Sequence, residues 1–172
     1  MAKKLITALL WMVLLLCSTS LHASQIVNVS WSGVENYTSQ THGSEAVTQF
    51  TLKFDTLTTY GFCVAPTLSI SQGNYNYSFL NWTNDYLQAA WLMDQYAATS
   101  TTVDTRKETV AVQSAIWNAV TNDAGYLPVS SDSAATLASS MMTALGSATL
   151  DESYLKANYK ILNNYKIDGT YQ

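Results

Sequence analysis

The chain has 172 residues, with 8 basic side chains against 12 acidic ones and a formal net charge of −4. Charged residues make up only 12% of it, about half the usual share, and the balance is acidic. That excludes the basic footprint by which proteins hold nucleic acid or anionic membrane.

The first segment reads as an export signal. Lys3 and Lys4 precede the apolar run LITALLWMVLLL, and CSTSLHAS follows it. A positive flank, an apolar stretch of secretory length and a small-residue exit predict a signal peptide over residues 1–23, cut after Ala23. The run is too short for a comfortable membrane span, so no span is expected after cleavage. Leu16 is bulkier than the residue expected before a lipidated cysteine, which argues against Cys17 as an anchor. The expected product is secreted or extracellular. Residues 24–172 suffice for one domain with a real core. They keep six of the 8 basic residues and all 12 acidic ones, and contain one histidine, His42, and one cysteine, Cys63. Ser, Thr, Asn and Tyr replace the missing charges, and N-x-S/T sequons fall at Asn28, Asn36, Asn76 and Asn81. Both features suit an extracellular surface.

Alternation dominates as far as Asn81. Val27, Val29, Trp31; Phe50, Leu52, Phe54; Tyr60, Phe62, Val64; and Tyr75, Tyr77, Phe79 recur with period two. SGVEN, THGSE and SQGN break the pattern, so several antiparallel strands are predicted. Helices follow. DYLQAAWLMDQYA is expected to be helical with Thr83 or Asn84 as its cap. Thr105-Arg106-Lys107-Glu108 has the capping-box pattern and opens a helix through VAVQSAIWNAV that stops near Asp123-Ala124-Gly125. A third helix is expected over SDSAATLASSMMTAL, closed by Gly146. The tail YKILNNYKIDGTYQ reads as a returning strand or hairpin with Asp168-Gly169 at a turn. The expected architecture is α+β. An antiparallel sheet or partial barrel from the N-terminal half carries three packed helices and a C-terminal returning strand.

One histidine and one cysteine without ligand spacing give no support for a metal, and no cofactor is expected. A Cys–His hydrolase would need His42 to activate Cys63, and nothing in their spacing pairs them. The informative residue is Gln113. Val110, Ile116, Trp117 and Val120 stand at i−3, i+3, i+4 and i+7 from it, so its carboxamide sits within an apolar stripe. It must find hydrogen bonds there or cost about 1–3 kcal/mol. Either it bonds to a strand backbone or it is no longer a free carboxamide. A cysteine thiolate held in near-attack geometry can displace ammonia from glutamine, leaving an internal thioester. Such a bond needs shielding from water, which Tyr60, Phe62, Trp91 and Trp117 could supply.

FCV around Cys63, AAWL at Ala89 to Leu92 and Q-S-A-I-W at Gln113 together resemble a known family. They are similar to the thioester domains of bacterial surface adhesins and, more closely, to secreted proteins of the PEP-CTERM type. The resemblance covers roughly residues 56–123. It implies a Cys63–Gln113 thioester cross-link on a strand-plus-helix scaffold, and covalent capture of an amine or hydroxyl on a surface partner. Such a domain acts once and is not an enzyme in the ordinary sense. Where the family usually has an acidic or amide residue two places after the cysteine, this chain has Ala65. LQAAW around Gln88 fits the glutamine motif too, but Asn84 and Asp85 make its face wetter. The alternative to a reactive domain is a non-catalytic extracellular matrix or polysaccharide-associated module. In that case Cys63 is an inert buried thiol.

Overall fold

The structure, a computed structural model, describes residues 25–97 and 106–166. The expected signal peptide, the Thr105 cap and the Asp168-Gly169 turn lie outside these residues.

Period-two alternation sets the first strand, β1 (Ile26–Ser30). Val27 and Val29 are fully buried while Ile26 and Asn28 face out. β1 lies between β4 (Phe50–Lys53) and β6 (Gly73–Phe79). Beyond them pair β5 (Thr58–Gly61) and β7 (Leu162–Lys166), completing the antiparallel order β5-β4-β1-β6-β7. The sheet curls into a half-barrel. Register places Val29 opposite Leu52 and Val27 opposite Tyr75. Their inner faces, with Phe50, build one apolar cluster. Between β1 and β4 the chain makes a separate hairpin from β2 (Glu35–Thr38) and β3 (Ser44–Val47). Gly43 turns it with φ +87, a left-handed value that suits glycine. The sequence shows this hairpin only as breaks, because four-residue strands carry too little pattern.

Four helices pack beside the sheet: α1 (Asn84–Tyr96), α2 (Arg106–Thr121), α3 (Ala135–Ser147) and α4 (Glu152–Asn158). Thr83 caps α1, accepting the Tyr86 N–H at 3.3 Å. α2 ends where Asn122 takes φ 54 and Asp123 N–H reaches back to the Asn118 carbonyl at 3.3 Å. That is a Schellman closure with asparagine in the glycine role. A short 3-10 turn, Ala124–Tyr126, follows. Gly146 does not close α3, which runs through it to Ser147. The chain leaves extended at Ala148, so no left-handed residue is needed. α4 is the helix beyond the three expected, capped by Asp151, whose carboxylate accepts Tyr154 N–H at 3.0 Å.

α2 is the centre of the molecule. Every residue from Thr109 to Trp117 is buried, and Ala119 with them. It is therefore a core helix rather than an amphipathic one with a single apolar stripe. Ala111, Ala115 and Ala119 recur every fourth residue, so neighbouring helices can approach closely. Around it gather Tyr37, Val47, Phe62, Leu92 and Met141, which with its own side chains form the main apolar cluster. A fully buried Ile116 truncated to alanine would cost about 2–5 kcal/mol.

Candidate functional site

Cys63 stands just past the end of β5. The alternation Tyr60, Phe62, Val64 predicts a strand continuing through it, but pairing with β4 stops at Gly61 opposite Phe50. The reason is a change of partner. Cys63 N–H donates to Gln113 Oε1 at 3.0 Å, and Gln113 Nε2 donates to the Cys63 carbonyl at 2.6 Å. A side-chain amide on α2 thus takes the place of the next strand residue. Gln113 is 1% exposed, and both ends of its carboxamide are satisfied by one residue fifty positions away.

The sulfur has main-chain partners of its own. Its S–H donates to the Ala65 carbonyl at 3.2 Å, and Ala65 N–H approaches it at 3.4 Å. Cys63 packs against both the sheet cluster and the helix cluster, so it lies at the seam of the two layers. Burial pushes its thiol pKa up, while the Ala65 backbone and the Trp117 indole pull it back. With its sulfur unbonded to Gln113, the group is a protonated, half-buried thiol. The position that departs from the family pattern, Ala65, meets the sulfur through its main chain alone.

Of the expected shielding residues, Phe62 and Trp117 belong to the helix cluster that receives Cys63, and Trp91 packs against that cluster from α1. Phe62 is buried next to the cysteine, and Trp117 is 4% exposed one turn beyond Gln113. Trp91 is half-buried on α1, packed edge-on to Tyr96 with ring centroids 6.0 Å apart. Tyr60 does not join them. Paired with Thr51, it projects from the sheet face opposite Phe50 and belongs to neither cluster that receives Cys63. The glutamine motif at Gln88 falls half-buried on α1, and the carboxamide on Cys63 is that of Gln113.

His42 serves a different group. Its Nε2 meets Asp123 Oδ2 at 2.8 Å, and its ring stacks on Tyr126 at 3.9 Å between centroids. Tyr126 in turn packs edge-on to Trp117 at 5.8 Å, so the His42 ring meets Tyr126, and Tyr126 backs the Trp117 wall of the cysteine seam. Asp123 is held below the usual carboxylate range, first by the Gly125 N–H and then by His42. Sequence reasoning had no signal for Tyr126 as the backing of Trp117, nor for the Cys63 main chain as Gln113's partner. Both depend on how α2 meets the loop after β5.

Among the described residues no cluster of His, Cys, Asp or Glu has the makings of a metal site, and no helix is long and apolar enough to cross a membrane. Set against known proteins, the chain matches no family model, no curated relative and no solved structure.

Proposed function

We propose that this chain is an exported domain whose Cys63 and Gln113 join in an internal thioester and then acylate a nucleophile on a surface partner. The observation that carries the reading is the two-point contact of the Gln113 carboxamide with Cys63. In bond formation Sγ attacks Cδ, and negative charge develops on Oε1. The Cys63 N–H, 3.0 Å from that oxygen, is placed to stabilise it. The Cδ–Nε2 bond then breaks, the thiol proton goes to the departing nitrogen, and ammonia leaves. Holding both groups in one loop–helix contact supplies the effective concentration that the step lacks in water. The product transfers its glutamyl carbonyl to an amine or hydroxyl once, leaving a free thiol, so the domain labels rather than turns over.

A second reading is favoured by one feature of the same contact. Both polar ends of Gln113 are satisfied without any covalent bond, as in a structural glutamine that ends a strand. The module would then be a non-catalytic extracellular matrix or polysaccharide-associated domain with an inert thiol. The intact mass of freshly purified protein separates the two. A mass one ammonia below the sequence value, with Cys63 unreactive to alkylators and methylamine adding at Gln113, supports the thioester. Full mass with a titratable thiol removes it.

A further inference from the structure

Among the described residues one buried side-chain polar atom has no hydrogen-bond partner: the indole Nε1 of Trp117. An N–H left so in a core costs about 1–3 kcal/mol, so its place calls for a reason. Trp117 follows Gln113 by four residues and shares its face of α2. Gln113 ends on Cys63, and Cys63 packs into the cluster that contains Trp117. The edge-on contact with Tyr126 and the burial of the ring fix the indole from behind. We infer that the Trp117 indole N–H is the donor that receives the Cys63 sulfur in its anionic form, a role that rests on the thioester reading above.

A neutral thiol is a weak acceptor, which explains why the indole makes no bond of good geometry at rest. A thiolate is a strong one. During transfer the incoming amine nitrogen bonds to Gln113 Cδ and the Cδ–Sγ bond breaks with its electron pair on sulfur. The amine's surplus proton passes to water, so amide and thiolate are the products. The developing sulfur anion lies in a buried seam where a waiting donor is worth most. Cys63 N–H serves the carbonyl oxygen and Trp117 serves the leaving sulfur. The indole's pull on the thiol pKa is in the direction this role requires, and neither it nor the Ala65 backbone is a charged group. Trp117 is thus a positioning residue for the leaving group as well as part of the wall.

The test is Trp117→Phe, which keeps an aromatic ring and removes the N–H. In the full chain, methylamine opening is expected to slow on the order of tenfold, the loss of one hydrogen bond to a charged acceptor. An unchanged rate overturns the inference. A measurement free of the thioester accompanies it: the pH profile of Cys63 alkylation in Gln113→Ala, with and without Trp117→Phe. The midpoint is expected to move to higher pH when the indole is lost, and an unmoved midpoint also overturns the inference. Full sequence mass in the wild type would instead sink the thioester, and with it any role of Trp117 in transfer, whatever the midpoint does. Should Trp117→Phe not fold, the Trp117 indole N–H resonance of the wild type decides the matter. It is expected to move downfield as the methylamine-opened protein is taken to alkaline pH and the freed sulfur ionises, and a stationary signal overturns the role.

Discussion

The carboxamide of Gln113 occupies both main-chain polar groups of Cys63, at 3.0 Å to the N–H and 2.6 Å to the carbonyl. It joins the end of β5 to the middle of the core helix, and so fixes the seam between sheet and helices at one point. A loop leaving a sheet edge must place its N–H and C=O groups somewhere, and here a side chain takes them.

Gln113→Ala strands two main-chain groups and opens a cavity in a fully buried place. A loss of about 2–4 kcal/mol is expected from those two effects together, read from urea unfolding. Cys63 should become open to alkylation in the same variant. Gln88→Ala, on a half-buried face of α1, should do neither. If both variants leave the thiol blocked, Gln113 is not its cover.

His42→Ala tests the separation of the histidine from the sulfur. The ring's partners are Asp123 and Tyr126, so mass and methylamine reactivity should match wild type. What should change is Asp123. Its carboxyl is depressed, so its contribution to stability is present above its unfolded pKa and fades as pH falls through the folded value. Without His42 that fading should begin at higher pH, though the Gly125 N–H, the larger cause, will still hold the carboxyl down. Carboxyl NMR titration reads this directly. Loss of methylamine uptake in a folded His42→Ala protein would restore the Cys–His pairing.

Much of this site was open to sequence reasoning, and the limits are physical. Gln113 was visible because a carboxamide among Val110, Ile116 and Trp117 needs a partner, and helix periodicity reports neighbours on one helix well. The antiparallel strands of the α+β architecture follow from alternation in Val27, Val29, Tyr75 and Tyr77, whereas the curl of the sheet into a half-barrel rather than an open sheet has no such local signal. The end of β5 was not visible, because alternation continues through Phe62 and Val64 after the ladder has stopped at Gly61. A side chain fifty residues away ended that strand, and no local pattern carries such information. Tyr60 failed as a shield for a related reason: the face a strand residue takes depends on register with β4. The β2–β3 hairpin and α4 were too short for their periods to register.

Arg106→Ala should loosen the start of α2. Its guanidinium makes two bonds to the Asp132 carboxylate, at 3.0 and 2.7 Å, and two to the Asn36 carbonyl, at 3.2 and 2.7 Å. The arginine is 40% exposed, so solvent screening limits the loss to about 1–2 kcal/mol. The Arg106 hydrogen bond holds Asp132 below the usual carboxylate range, with the Ala134 N–H a lesser cause. The ion pair's contribution is therefore full above the unfolded carboxyl pKa of about 3.9 and vanishes as pH falls through the lower folded value. Urea midpoints of wild type and variant should differ steadily at neutral pH and converge on acidification. A gap that widens toward acid would contradict the pairing.

Two glycines should respond oppositely to alanine. At Gly125, in the 3-10 turn that carries Tyr126, a methyl group would overlap Thr41 Oγ1 and press on Asp123 Oδ1 at 2.8 Å and His42 Nε2 at 3.1 Å. The Thr41 main chain is tied to this turn, its N–H bonding to the Gly125 carbonyl at 3.2 Å, so relief requires the Thr41 side chain to leave its rotamer or the turn to shift. Overpacking of this kind costs about 1–3 kcal/mol. By shifting Tyr126 it should also slacken the backing of Trp117, so Cys63 should alkylate faster. At Gly146 nothing lies within 4 Å of a built methyl, and the residue sits inside α3 with ordinary helical geometry. Gly146→Ala should raise stability by about 0.5–1 kcal/mol, because alanine loses less backbone freedom on folding. Thermal unfolding of the pair, with alkylation rates at native pH, checks both. Destabilisation by Gly146→Ala would mean that α3 ends in a left-handed turn after all, and an unmoved alkylation rate in Gly125→Ala would uncouple the histidine cluster from the cysteine seam.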